Sequence, residues 1–207
     1  MKPLAEAKHR LASVLDDSAR QDLARNLYVR TLRVLRRVRG ISRVIVVSRD
    51  ARVLEIGRKF GAWSVWENPT GLNESCEQAT RVAVANGARA VLIIPSDLAR
   101  LEAKDVEELI ARDSNTCPTI VIVPDRRGTG TNALLVRPAG LIRYSFGEAS
   151  FAQHLSRARE TNAQGIIHQS ESLAFDVDLP DDLETLHLES DARGQHGTRG
   201  VISARQT

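Results

Sequence analysis

Aromatic residues make up only 4% of this chain, so Val, Leu, Ile and Ala must fill its interior. The same scarcity speaks against a nucleic-acid stacking platform, which needs rings set among basic residues. Cysteine is limited to Cys76 and Cys117, and their spacing matches neither a metal nor a redox motif. Free thiols fit a reducing compartment, so a cytoplasmic protein is expected. No stretch reaches the apolar length of a membrane span. The opening Met1-Lys2-Pro3-Leu4-Ala5-Glu6 lacks the apolar core of a signal peptide. Neither a membrane nor a nucleic acid is therefore expected as a partner.

Hydrophobic residues account for 42% of the 207 positions, enough for one soluble domain with a real core. Charge is unevenly spread: residues 1–60 hold 15 Lys and Arg against 6 Asp and Glu, and the remainder holds 14 against 20. A basic N-terminal third suits a nucleoside triphosphate or a nucleic acid. Arg20, Arg25, Arg30, Arg33, Arg36 and Arg37, however, share a segment whose Leu23, Leu27, Val34, Leu35 and Val38 recur at helical spacing. They read as the solvated face of an amphipathic helix.

Strand-like and helix-like segments alternate. Strands are expected at 43–47, 62–66, 90–94, 119–123, 133–136 and, extended, 165–168, with helices at 51–60, 74–86, 103–112 and 150–160. Pro180 can open a last helix, where its missing N–H costs nothing. This alternation predicts an α/β fold with a mostly parallel sheet and helices on both faces. Ligands in such sheets lie beyond the carboxyl ends of the strands. One domain over 1–188 is expected, followed by a disordered polar tail over 189–207.

The richest stretch is Pro124-Asp125-Arg126-Arg127-Gly128-Thr129-Gly130-Thr131-Asn132-Ala133, between two apolar runs. Glycines let a backbone approach a ligand, and successive N–H groups can form a nest for an anion. A glycine-rich turn between strands is the alternative. Asp97, in Pro95-Ser96-Asp97, follows a buried strand and suits Mg²⁺ or a helix cap. Asp176 and Asp178 alternate in an extended segment, which puts both carboxylates on one face. They suit a shared cation, or capping of the Pro180 helix. Lys2, Lys8 and Arg10 crowd a short N-terminal segment that suits a triphosphate or is simply a basic terminus. Phe146-Gly147-Glu148-Ala149-Ser150 enters a helix with Ser150 as an apt N-cap and free N–H groups for an anion. His154, one turn on, reads as a packed or surface histidine, with no Ser-His-Asp set in sight.

Taken in order, Lys2-Pro-Leu-Ala-Glu-Ala-Lys8-His-Arg10-Leu11, Gly71-Leu72-Asn73, Pro95-Ser96-Asp97-Leu98, the 124–133 loop, Phe146-Gly-Glu-Ala-Ser-Phe151 with His154, and Phe175-Asp-Val-Asp178-Leu-Pro180 resemble the 2-phospho-L-lactate guanylyltransferase family of coenzyme F420 biosynthesis. The resemblance spans Lys2 to about Leu186. It implies a nucleotidyltransferase-like fold and transfer of GMP from GTP to 2-phospho-L-lactate, phosphoenolpyruvate or 3-phospho-D-glycerate, with release of pyrophosphate. It further implies Mg²⁺ on Asp97, Asp176 and Asp178, and Lys8, Arg10 and Asp97 as catalytic residues. Lys2, Lys8, Gly71, Leu72, Asn73, Pro95 and Ser96 would contact the nucleotide. Gly130, Thr131, Asn132, Gly147 and Ser150 would hold the phospho-acid. A homodimer is compatible with it. Family members usually carry an apolar strand before the basic segment; here Met1 directly precedes Lys2, so that strand is expected to be missing and the true start to lie upstream. Other readings stay open: a nucleotidyltransferase of molybdenum-cofactor or sugar-phosphate type, and a non-catalytic protein that binds GTP or a phospho-acid.

Overall fold

A computed structural model describes residues 1–68 and 71–186; the tail expected over 189–207 lies outside them. Among the described residues strands and α-helices alternate, save that β4 and β5 are consecutive: α1 (Asp17–Leu35), β1 (Ile45–Ser48), α2 (Ala51–Lys59), β2 (Trp63–Trp66), α3 (Leu72–Ala85), β3 (Val91–Ile93), α4 (Ala103–Ile110), β4 (Thr119–Pro124), β5 (Thr131–Arg137), α5 (Ser150–Glu160), β6 (Gln164–Ile167) and α6 (Glu171–Ala174). Two 3-10 turns, Leu4–Glu6 and His9–Leu11, precede them. Residues 180–186 are helical, as Pro180 suggested.

The strands form two sheets. β1 and β2 pair in parallel, and the other four lie in the order β3-β5-β4-β6. Within the larger sheet β3, β4 and β6 run one way and β5 runs against them. The glycine loop is thus the tip of an antiparallel hairpin in an otherwise parallel arrangement. Among the described residues no strand bonds β1 to β3, and α3 packs against both.

Alternation along β4 and β5 divides the core. Val121, Val123, Ala133 and Leu135 face one way and pack with Leu98, Leu101, Val106 and Leu109 and with Leu173 of α6. Ile120, Ile122, Leu134 and Val136 face the other way and pack with Cys76 of α3, Tyr144 and Ala158 of α5. Period-two side chains buried on both faces are what a sheet covered by helices on both sides requires. A third cluster, with Tyr28, Leu32, Val46, Val53 and Leu54, binds α1 and α2 to the small sheet. There Tyr28 donates its hydroxyl to the Val53 carbonyl at 3.1 Å. One α1 arginine expected on the solvated face turns inward instead: Arg20 is buried and paired with Asp17, whereas Arg30 stays exposed while donating to the Leu101 carbonyl at 3.2 Å.

The β4–β5 pairing is irregular at the loop end. Its register runs Val123↔Ala133 and then Pro124↔Thr131, so Asn132 is the extra residue of a β-bulge. A bulge re-aims the side chains at its site. Asn132 turns to the Ala133 side, where its amide donates to the Leu173 carbonyl at 3.1 Å. Thr131 turns to the opposite side, where it meets His154 of α5. Regular alternation would have reversed the two.

Candidate active site

Buried Leu4 and Leu11 anchor the basic N-terminal segment to the core, and Asp50 accepts the Leu4 amide at 3.1 Å. Between those anchors Lys8 takes a left-handed backbone, φ 56°. That costs a residue with a Cβ about 1–2 kcal/mol. The distortion accompanies an inward-directed side chain: the Lys8 ammonium donates to Asp97 Oδ2 at 2.5 Å and to Asp178 Oδ1 at 3.1 Å. Burial works to lower its pKa, but the charges of Asp97 and Asp178 outweigh burial and hold it above the usual lysine value. Arg10, largely exposed, reaches Asp178 Oδ2 from the rim at 3.4 Å.

Asp97 sits in the turn after β3, following Pro95 and Ser96. It is not a helix cap: Glu102 caps α4 in a capping box with Asp105. Its neighbour Leu98 is fully buried and forms an isolated antiparallel bridge with Asp176, which stitches the Asp97 turn to the 175–178 segment. In that segment Phe175 and Val177 are fully buried, and Asp176 and Asp178 alternate to the other side, as extended geometry predicts. Asp178 is not a cap either. Asp182 accepts the amides of Asp178 and Leu179, both at 2.7 Å, and pairs with Arg126. Burial raises the Asp182 pKa, but these donors outweigh it and hold the carboxyl below its usual value. Asp176 accepts from Asn132 at 3.4 Å. Burial, with Asp178 and Asp97 adding to it, pushes its pKa up against that hydrogen bond.

Two carboxylates, Asp97 and Asp178, therefore hold one buried ammonium, with Arg10 at the edge and Asp176 bonded to Asn132 instead. Among the described residues no three acidic, His or Cys side chains converge as a ready metal cage. The donor set still fits Mg²⁺ in kind, since that ion commonly takes one or two carboxylates and fills its octahedron with water and phosphate oxygens. Lys2 is exposed and makes none of these contacts.

The glycine loop departs from expectation. The Asp125 carboxylate accepts the amides of Thr129 at 2.9 Å and Gly130 at 3.0 Å, so the loop's nest already holds an internal anion. A Cβ on Gly130 would lie 2.8 Å from Asp125 Oδ2, which is why glycine stands there. Asn132 is engaged by the bulge contacts. Thr131 is held as well, its hydroxyl 3.0 Å from His154 Nδ1.

Nor is Ser150 the N-cap of α5. Ala149, φ 51°, holds that position, and Ser150 begins the helix. The first amides are not all free: Ser150 donates to Gly147 at 3.3 Å and Phe151 to Thr129 at 3.1 Å. Asn73, two residues past Gly71 at the start of α3 and next to the exposed Leu72, donates to the Phe146 carbonyl at 3.1 Å and accepts the Phe146 amide at 2.7 Å. The segment expected beside the nucleotide is thus joined directly to the Phe146-Gly147 loop expected beside the phospho-acid. Asp125, Asp182 and His154 escaped the sequence reading as positioning groups. An Asx signal was available for the two aspartates, each a few residues from the amides it accepts.

Among the described residues no helix is long and apolar enough to cross a membrane. The family model "Guanylyl transferase CofC like" matches residues 1–197. A phosphoenolpyruvate guanylyltransferase from Rubrobacter xylanophilus is 40% identical over 186 residues, covering 90% of each chain. A 3-phospho-D-glycerate guanylyltransferase from Colwellia psychrerythraea is 31% identical over 188 residues, covering 91% of this chain and 89% of the relative. Among solved structures, one from Desulfovibrio desulfuricans G20, assigned as a nucleotide-diphospho-sugar transferase, matches with TM-score 0.72 and 17% identity over 92% of this chain and 84% of its own, a likeness of fold alone. This chain belongs to the CofC-like guanylyltransferase family of nucleotidyltransferases.

Proposed function

We propose that this protein transfers GMP from GTP to the phosphate of a three-carbon phospho-acid, with phosphoenolpyruvate the first candidate because the relative bearing that name is 40% identical. 2-Phospho-L-lactate and 3-phospho-D-glycerate are the related acceptors. The observation that carries the reading is the Lys8 ammonium set between Asp97 and Asp178 beyond the carboxyl end of β3. That is where an α/β sheet of this kind takes its ligand.

In the reaction a phosphate oxygen of the acid attacks the α-phosphorus of GTP, and the bond from that phosphorus to the oxygen bridging to the β-phosphate breaks. Pyrophosphate leaves with that oxygen. No covalent enzyme intermediate is needed, because the nucleophile is already an anion. Asp97 and Asp178, with Asp176 behind them, would hold Mg²⁺; when bound, such an ion neutralises phosphate charge and aligns the two substrates. Lys8, lifted above the usual lysine pKa, stays cationic and meets charge building on the leaving pyrophosphate, with Arg10 helping from the rim. Gly71 to Asn73, Pro95 and Ser96 border the nucleotide, and Lys2 is assigned to its phosphate end. Thr131, Gly147 and Ser150 border the phospho-acid. Gly130 and Asn132 shape that subsite through Asp125 and Leu173 rather than by free donors.

Pyrophosphate release, measured with each acid in turn and with GTP or CTP, tests this assignment. The proposal expects release with GTP and one of the three acids. Release only with CTP, or only with a sugar phosphate or molybdopterin, would replace it by the corresponding nucleotidyltransferase.

A further inference from the structure

We propose that His154 is a positioning residue that locks the Thr131 hydroxyl as a hydrogen-bond donor toward the acidic substrate; this rests on the phospho-acid subsite just assigned. His154 is fully buried on α5, and both of its ring nitrogens are used. The Ser145 backbone N–H donates to Nε2 at 3.1 Å. A nitrogen that accepts carries no proton, so the neutral ring must keep its proton on Nδ1. Nδ1 lies 3.0 Å from Thr131 Oγ1. The direction of that bond is thereby fixed: Nδ1–H donates and the threonine oxygen accepts.

The hydroxyl proton of Thr131 is then not needed by the histidine, and no other acceptor bonds to it among the described residues. An ionised carboxylate or phosphate offers only acceptors. The fixed polarity of Thr131 is the polarity such a ligand requires. Three features hold the arrangement. The Asn132 bulge turns Thr131 to the α5 side. The Phe146 ring packs edge-on against the imidazole, 4.9 Å between centroids, and Asn73 grips the Phe146 backbone on both sides. Protonation of the ring would set Nε2–H against the Ser145 N–H. Consistent with this, burial, with Arg157 adding to it, brings the His154 pKa down to about 4.

The test is a double-mutant cycle read as separate Michaelis constants. Thr131→Val removes the donor. His154→Gln keeps an acceptor near Ser145 but removes the donor that orients Thr131. Each should raise the KM for the phospho-acid about tenfold, the value of one hydrogen bond to a charged group, and leave the GTP KM within about twofold. The double variant should be no worse than Thr131→Val alone, because both changes remove one interaction. His154→Asn, whose amide can stand in for Nδ1–H, should recover most of the loss. Multiplying losses, or a GTP KM that rises in step, would overturn the inference in favour of a packing role. Long-range ¹H–¹⁵N NMR on the wild-type full chain at neutral pH decides the wiring without any variant: an Nδ1–H tautomer is expected, and an Nε2–H tautomer would overturn it. A wild-type chain that shows the Nδ1–H tautomer but releases pyrophosphate with none of the acids would bring down the functional assignment and leave the His154–Thr131 wiring standing.

Discussion

Lys8 is the residue on which the site turns. Its left-handed backbone and its burial both oppose folding, and both are offset by contacts to Asp97 and Asp178. Replacing Asp97 by Ala takes away one of the two carboxylates facing that ammonium while leaving Asp178 to pair with it. Steady-state pyrophosphate release should fall by at least two orders of magnitude, with the melting temperature little changed; retained turnover would remove Asp97 from the chemistry. Asp182 acts one step back. Its carboxylate holds the Asp178 and Leu179 amides, so Asp182→Ala should cost about 1 kcal/mol by leaving two half-buried donors without their carboxylate. It should also raise the Mg²⁺ concentration needed for half-maximal activity. His154 gives a pH signature. Its pKa falls from the usual 6.5 to about 4 on folding, so below about pH 6.5 the unfolded chain takes up a proton that the native chain refuses. Stability is therefore lost as pH falls through that window, on the order of 3 kcal/mol in all. Denaturant titrations of wild type and His154→Gln from pH 7 to 4 should show the variant with the shallower slope.

Secondary-structure elements were the most readable level. The alternation of apolar runs with amphipathic segments placed every strand within a few residues, because β4 and β5 are buried on both faces and so read as continuous Val, Ile and Leu. Three features escaped. The reversal of β5 leaves no mark in periodicity, since a buried strand reads the same in either direction. The Asn132 bulge shifts register without changing composition, and it decides which of Thr131 and Asn132 faces α5. The short helix α6 is too brief for a periodic signal. Packing between elements is testable at Gly57 of α2, where a Cβ would stand 2.9 Å from the Tyr28 hydroxyl and 3.4 Å from Val46. Gly57→Ala should destabilise the chain by about 1–3 kcal/mol through overpacking, and Tyr28→Phe in the same background should recover part of that loss. Equal melting temperatures for wild type and Gly57→Ala would contradict the packing of α1 on α2.

At the scale of the whole molecule the basic first third and the acidic remainder of the sequence meet at the site. The N-terminal segment, from the basic part of the sequence, carries Lys8 and Arg10 to carboxylates that lie near 97 and 178, in the acidic part. Sequence spacing could nominate each partner by its place at a strand end or in an alternating run. It could not show that Asp125 fills the glycine nest or that Asn73 ties the α3 start to Phe146, because those bonds join segments whose pairing the fold alone decides. The Lys8 ammonium between Asp97 and Asp178 is where the nucleotide phosphates are proposed to bind. The most direct test is to identify the product itself by ³¹P NMR and mass spectrometry after incubation with GTP, Mg²⁺ and phosphoenolpyruvate. A phosphoanhydride joining GMP to the acid, formed in step with free pyrophosphate, is the predicted result. GTP left intact with phosphoenolpyruvate, 2-phospho-L-lactate and 3-phospho-D-glycerate alike, by folded protein that binds it, would contradict the account.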